Sequence, residues 1–135
     1  MCQNCLVKTI HHAQHHFGWD NSLSPVLHVA SGSQLEFHCL DAANGWFNAG
    51  STAADIPTLP FDKLNPVSGP VYVEGAQPGD ALKVTLESFR PSGFGWTANI
   101  PGFGLLADQF SDPALTLWQY DRQGLTPCAF GRYGR

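Results

Sequence analysis

Hydrophobic and polar side chains alternate with a period of two along several short stretches of the sequence, which predicts β-strands. The clearest pattern covers residues 81–89, where Leu82, Val84 and Leu86 fall on the face opposite to polar side chains. Residues 35–39 repeat this pattern, with apolar positions on one face and Glu and His on the other. Each stretch is therefore expected to form a strand with one buried and one exposed face.

Further stretches have the composition of strands, and turn residues separate them: 25–31, 71–74 and 114–120. Pro78 and Gly79 occupy the central positions of a predicted type II turn. No window of a dozen residues shows helical periodicity, although Ser51 and Thr52 can cap a single helical turn that Pro57 ends. The sequence thus predicts an all-β fold, arranged as an antiparallel, jelly-roll-like β-sandwich.

Length and charge narrow the class of protein. The 135 residues suffice for one domain, or part of one, with irregular ends expected at 1–10 and 123–135. Charged residues make up only 13% of the chain, which indicates that some of the surface contacts more protein. A net charge of -4 without a basic run argues against a nucleic-acid partner. Because no long apolar run or secretory signal is visible, we expect a soluble, cytoplasmic protein without a membrane partner.

The cysteines and histidines near the start are candidates for a metal site. Cys2 and Cys5 precede His11 and His12 too closely for a zinc finger, whose pairs are separated by about twelve residues. We therefore expect reduced thiols, with neither a structural zinc site nor a disulfide framework.

Four histidines lie within residues 11–16, at spacings that chelate a metal if the stretch is helical. The preceding β-branched residues favour a strand instead, so we interpret His11, His12 and His15 as surface side chains. His16 differs because it directly precedes Phe-Gly-Trp-Asp, where a turn at the glycine brings the imidazole towards the Asp20 carboxylate.

The sequence lacks the Gly-x-Ser-x-Gly motif that carries a serine nucleophile. If the protein is a hydrolase, the expected nucleophile is therefore an activated water. A metal ion or a carboxylate such as Glu74 can activate that water. The glycine-rich stretch 96–106 offers backbone N–H groups for an oxyanion, although a packed turn between strands is the favoured interpretation.

Four motifs, in order, resemble the N-terminal half of the acetamidase/formamidase family: "HFGWDNSLSPVLHVASGSQLEF", "NPVSGPVYVEGAQPGDALKVTL", "GWTANIPGFGLLADQF" and "DPALTLW". The likeness runs from about residue 16 to about residue 118, and the His-x-x-Trp-Asp form is closer to the acetamidase-type branch. It implies the N-terminal part of a longer fold. It also implies hydrolysis of short linear amides, such as formamide or acetamide, to carboxylate and ammonia.

The resemblance also implies roles for individual residues. The implied ligands of a divalent metal, zinc or calcium, are His16, Asp20 and Asp41, and Glu74 is the implied general base or ligand. The candidates for contact with the amide substrate are Trp19, Trp96 and Gly102.

The chain departs from the family in its length. Family members carry a second half with a Gly-Asp-x-His stretch and a Gly-Glu pair, and neither is found here. We therefore expect a fragment whose partner is the missing C-terminal half, inactive alone, with a homo-oligomer as a further option. The alternatives are a non-catalytic β-sandwich that binds a flat ligand through Trp19, Trp46 and Trp96, and a purely structural subunit.

Overall fold

The computed structural model describes residues 6–124 and the backbone of residues 127–133. Within these residues the chain forms nine short strands and two 3₁₀ helices. The strands are β1 (Lys8–Ile10), β2 (His15–His16), β3 (Leu27–Val29), β4 (Leu35–Phe37), β5 (Val67–Ser68), β6 (Val71–Val73), β7 (Phe94–Asn99), β8 (Ala114–Tyr120) and β9 (Pro127–Tyr133). The 3₁₀ helices are Ala53–Thr58 and Phe61–Lys63. The predicted all-β class is confirmed.

The sequence predicts one domain, and the contacts divide the chain into two compact units. The first unit comprises the residues up to Gly45 together with Pro60–Lys83. It contains three two-stranded ladders, of which β2–β5 is antiparallel, whereas β1–β4 and β3–β6 are parallel. The buried Ile10 and Val29 lie on β1 and β3.

The expectation of purely antiparallel pairing is thus wrong for two of these ladders. Antiparallel neighbours can be joined by a tight hairpin, but parallel neighbours need a longer crossover connection. Long connections separate β1 from β4 and β3 from β6, so the chain returns in the same direction each time. Alternation along a single strand carries no information about the direction of its partner.

The second unit comprises Trp46–Leu59 and the residues from Val84 onwards. Its sheet has the order β7-β8-β9, with both pairings antiparallel. On the central strand β8, Leu115 and Leu117 are 1% and 0% exposed, and Ile56 from the 3₁₀ helix is also buried. The predicted strand at 114–120 is confirmed.

The helical turn predicted after Thr52 is present as the 3₁₀ helix Ala53–Thr58. Thr52 is its N-cap, and Asp55 Oδ2 accepts the Thr52 backbone N–H at 2.7 Å. Pro57 lies inside the helix instead of ending it, and the last helical residue follows one position later. A 3₁₀ helix this short loses little from one missing N–H donor.

The predicted strand at 81–89 is absent. Leu82, Val84 and Leu86 are 70%, 70% and 72% exposed, and residues 81–90 join no ladder in the described part of the chain. Alternation places the apolar side chains on one face, but a strand also needs a neighbouring strand for its backbone hydrogen bonds. The stretch 35–39 is a strand only over Leu35–Phe37, and Phe37 is 44% exposed.

Within the predicted irregular ends, β1 lies in residues 1–10 and the β9 backbone in 123–135, while residues 1–5, 125–126 and 134–135 lie outside the described residues. Cys39 is an exposed free thiol, while the other cysteine side chains lie outside the described residues. In the part of the chain that the structure describes, neither 3₁₀ helix has the length and apolar run that crossing a bilayer requires.

Candidate active site

His16 lies on β2, opposite Val67 of β5, and its ring is held by the turn that follows it. The Nδ1 atom lies 2.6 Å from the Gly18 carbonyl oxygen. Because a carbonyl oxygen only accepts, Nδ1 is the donor, and in the neutral imidazole Nε2 therefore keeps its lone pair. Gly18 has φ of 145°, a conformation that side-chain-bearing residues rarely adopt. The glycine therefore sets the tautomer of His16 through its carbonyl group.

Asp20 begins the next turn, in which the Leu23 N–H donates to the Asp20 carbonyl oxygen at 3.3 Å, and the Asp20 carboxylate is bound by Ser22. The Ser22 hydroxyl and backbone N–H both donate to Asp20 Oδ1, at 2.7 and 2.8 Å. These two hydrogen bonds, the hydroxyl first, hold the pKa of Asp20 below its ordinary value, and the nearby His16 imidazole lowers it further. Contact between the His16 and Asp20 side chains stays a prediction.

Replacing Ser22 with Ala is expected to raise the pKa of Asp20 towards its ordinary value, because the hydroxyl is the main cause of the lowering. NMR titration of the Asp20 carboxyl carbon measures this change, and Ser24→Ala in the same loop is the matched control. A pKa lowered by folding stabilises the native state above about pH 4, and that contribution is lost as the pH falls through the lower native pKa. An unchanged Asp20 pKa in Ser22→Ala would contradict the assignment.

Asp41 is engaged in its own loop. Its Oδ1 accepts the backbone N–H groups of Ala43 at 2.8 Å and Gly45 at 3.2 Å. Among the residues that the structure describes, no three His, Cys, Asp or Glu side chains are grouped to hold a metal ion. The described residues alone therefore do not assemble the predicted metal centre, and the metal stays a prediction.

Glu74 follows β6, and its Oε1 lies 3.2 Å from Nδ1 of His28 on β3. Parallel pairing places His28 opposite Tyr72, and their ring centroids are 4.9 Å apart. The Glu74 backbone N–H donates to the Val29 carbonyl oxygen at 2.7 Å, which fixes the start of the Glu74 side chain beside β3. Both side chains of the pair are more than half exposed, so substrate-sized molecules can reach them.

Sequence reasoning missed His28. Its neighbours Leu27 and Val29 point towards the interior, so alternation places the imidazole on the opposite, exposed face of β3. That signal was available in the sequence, but the partner carboxylate lies 46 residues away. The pairing becomes visible only once the register of β3 and β6 is known.

A second histidine–glutamate pair of the same kind lies on the first unit. Glu36 lies within β4 and His38 directly after it, and Glu36 Oε1 is 3.3 Å from His38 Nε2. His11 packs at 5.9 Å from the His38 ring and 3.8 Å from the His12 ring, measured between centroids. His11 and His12 are exposed, in line with their interpretation as surface side chains.

The candidate substrate contacts fall on both units. Trp19 in the first unit is 92% exposed. Trp96, on β7 of the second unit, packs against the buried Phe47 with ring centroids 4.7 Å apart. Gly102 has φ of 76° in a turn closed by the Phe103 N–H and the Ile100 carbonyl oxygen, so the favoured interpretation of a turn agrees with the structure.

The alternative of an aromatic binding platform gains little support. The Trp46 indole N–H donates to the Asp55 carbonyl oxygen at 3.2 Å, beside an open cavity of about 260 Å³ in the second unit. Ser51 and Asn48 in its lining bond to each other, because the Asn48 N–H donates to Ser51 Oγ at 3.0 Å. Trp46 and Trp96 are thus committed to contacts within the unit, which leaves only parts of their rings for a ligand.

Solved structures define the class of fold. The chain aligns with a predicted acetamidase/formamidase from Thermoanaerobacter tengcongensis at a TM-score of 0.77 and 23% identity, over 86% of this chain and 38% of that one. It aligns with a gamma lactamase from Delftia acidovorans at a TM-score of 0.71 and 22% identity, over 88% of this chain and 30% of that one. Over the aligned residues, the chain therefore shares the fold of these proteins.

The family follows from the sequence. The model of the acetamidase/formamidase family matches residues 6–127, and the chain belongs to this family. It is 29% identical over 113 residues to a formamidase of Methylophilus methylotrophus, covering 79% of this chain. It is 27% identical over 124 residues to an acetamidase of Mycolicibacterium smegmatis, covering 82% of this chain.

These matches confirm the resemblance drawn from the motifs. The two relatives carry different names at nearly equal identity, so the assignment to the acetamidase-type branch stays a prediction. The chain spans 28% of the formamidase and 30% of the acetamidase.

Proposed function

We propose that this chain supplies one part of an enzyme that hydrolyses short linear amides to a carboxylate and ammonia. Membership of the acetamidase/formamidase family over residues 6–127 carries the proposal. Because the chain spans less than a third of its relatives, activity is proposed for the chain together with a complementary portion of a family member.

Glu74 is the proposed general base. Its Oε2 has no hydrogen-bond partner among the described residues, whereas Oε1 is held by His28. In the proposed reaction Glu74 takes a proton from water as the water oxygen bonds to the amide carbonyl carbon. The carbon–nitrogen bond then breaks as the nitrogen takes up that proton, and ammonia and the acid leave.

His28 is the proposed positioning residue for this base. Its Nδ1–H donates to Glu74 Oε1, and the Tyr72 ring, tilted by 39°, packs beside the imidazole and restricts its rotation. A carboxylate that accepts a hydrogen bond on one oxygen is oriented with the other towards the water. His28 therefore acts through Glu74 and does not touch the substrate.

A divalent metal, zinc or calcium, is a separate proposal. His16, with its Nε2 lone pair, and Asp20 have the chemistry of two ligands, and the Gly18 carbonyl is the outer partner that a metal-bound histidine commonly has. Catalytic zinc usually has three protein ligands, and the described residues do not group a third with these two. No step of the reaction is therefore assigned to a metal.

The proposal is tested with a chimaera. The part of this chain that aligns with the Methylophilus methylotrophus formamidase replaces the matched segment of that formamidase, and ammonia release from formamide and acetamide is measured. We expect turnover by the chimaera and none by the 135-residue chain alone. A folded chimaera that releases no ammonia from either amide would overturn the proposal.

A further inference from the structure

The loop 41–45, which lies within the first unit, carries an asparagine followed by a glycine, Asn44 and Gly45. An asparagine side chain can react with the backbone nitrogen of the next residue. Glycine favours this reaction because it has no Cβ atom to obstruct its nitrogen. A Cβ atom added to Gly45 would meet nothing within 4 Å, and Gly45 is exposed, so water can reach the pair. Every other asparagine of the sequence precedes a residue that has a side chain.

The side-chain amide of Asn44 is not engaged by the protein. Asn44 is half-buried, and its amide group makes no hydrogen bond within the part of the chain that the structure describes. Other asparagine side chains are held in place. Asn48 Oδ1 accepts the Gly50 N–H at 2.9 Å, and Asn99 Nδ2 donates to the Phe110 carbonyl oxygen at 3.0 Å. The Asn44 side chain can therefore rotate towards its own backbone more easily than these two.

The backbone of the same loop is held by Asp41. The Gly45 N–H donates to Asp41 Oδ1 at 3.2 Å, and the Asn44 N–H donates to the Asp41 carbonyl oxygen at 2.9 Å. The Gly45 nitrogen must turn towards Asn44 Cγ before it can attack, and this rotation breaks its hydrogen bond to Asp41. The negative charge of the carboxylate also opposes loss of the proton from the Gly45 nitrogen.

We propose that Asn44 is a site of deamidation by attack of the Gly45 nitrogen, and that Asp41 slows this reaction through its hydrogen bond to Gly45. The Gly45 nitrogen bonds to Asn44 Cγ, the bond between Cγ and Nδ2 breaks, and Nδ2 leaves as ammonia with the proton from Gly45. Water then adds to one of the two carbonyl carbons of the cyclic imide and opens the ring. The product is aspartate or isoaspartate, which adds one negative charge to the net charge of -4.

This reaction is independent of the amide hydrolysis described under Proposed function. It releases at most one ammonia for each chain, so it is distinct from catalytic turnover. In the isoaspartate product the backbone runs through the former side chain and is longer by one CH₂ group. The loop can then no longer present the Gly45 N–H to Asp41 with the same geometry.

The experiment follows the full chain in H₂¹⁸O at mildly alkaline pH by mass-spectrometric peptide mapping. Asn44 is expected to be converted faster than Asn48, with ¹⁸O from water in the product. Asp41→Ala is expected to raise the rate at Asn44 at least about fivefold, because no hydrogen bond to an ionised group has to break before the attack. Asp41→Asn keeps an oxygen acceptor without the charge, and a smaller increase is expected. This variant also carries the test if Asp41→Ala does not fold.

Asp80→Ala is the matched control. Asp80 Oδ2 accepts the Gln77 N–H at 2.9 Å in another loop of the same unit, so this variant also removes a carboxylate that closes a loop. The rate at Asn44 is expected to change less than about twofold. The proposal would be overturned by conversion of Asn44 no faster than of Asn48 in both wild type and Asp41→Ala. An unchanged or lower rate in the Asp41 variants, or equal acceleration by Asp80→Ala, would overturn the role of Asp41.

Discussion

Replacing Glu74 with Gln is expected to lower the kcat of the chimaera for amide hydrolysis about 100-fold or more. General-base catalysis typically contributes about 10²–10⁴ to the rate, and the amide of Gln cannot take the proton from water. Gln keeps the shape of the side chain and still accepts from His28 Nδ1, so the geometry of the pair at 3.2 Å is retained. Steady-state ammonia release measures the effect.

The matched control is Glu36→Gln. Glu36 forms a similar contact with His38, at 3.3 Å, and lies in the same unit. The same loss of charge is therefore made beside another exposed histidine, and kcat is expected to change less than about twofold. Equal losses in the two variants would show that Glu74 acts through charge or stability and would remove it as the base.

Replacing Leu117 with Ala is expected to lower the free energy of unfolding of the second unit by about 2–5 kcal/mol. Leu117 is fully buried on β8, the central strand between β7 and β9. The shorter side chain loses transfer free energy and leaves a cavity that two paired neighbours prevent from closing. Urea unfolding followed by tryptophan fluorescence reports on this unit, since Trp46, Trp96 and Trp118 belong to it.

Gln119→Ala is the control for this substitution. Gln119 lies on the same strand with an exposed side chain, so its replacement is expected to change the free energy of unfolding by less than about 0.5 kcal/mol. A loss below about 1 kcal/mol for Leu117→Ala would contradict the central position of β8 in the core.

Two stretches with the same alternation of apolar and polar residues have different structures. The stretch 114–120 is a strand as expected, because β8 has a partner on each side within the second unit. The equally regular stretch 81–89 is not a strand, because it joins no ladder in the described part of the chain. The sequence pattern reports which face a strand would bury, while pairing depends on segments far along the polypeptide. For the same reason, the parallel direction of β1 and β4 was not predictable.

The contacts of the candidate site are likewise of two kinds, those between neighbours in sequence and those that depend on strand pairing. The hydrogen bonds of His16 and Asp20 are local, because the His16 ring lies against the Gly18 carbonyl oxygen and Asp20 accepts from Ser22. The contact between His28 and Glu74 spans 46 positions and depends on the register of β3 with β6. Asp41 has the chemistry of a ligand, but its carboxylate is engaged by backbone N–H groups of its own loop. Residue type alone does not reveal that a carboxylate accepts hydrogen bonds from its own loop.

The most direct test of amide hydrolysis follows the carbon–nitrogen bond itself. The chimaera is incubated with formamide or acetamide labelled with ¹³C and ¹⁵N, and NMR quantifies the acid and the ammonium. The account predicts one carboxylate and one ammonium for each amide consumed, with the rate lowered by Glu74→Gln and maintained in Glu36→Gln. A folded chimaera that leaves both labelled amides intact would contradict it.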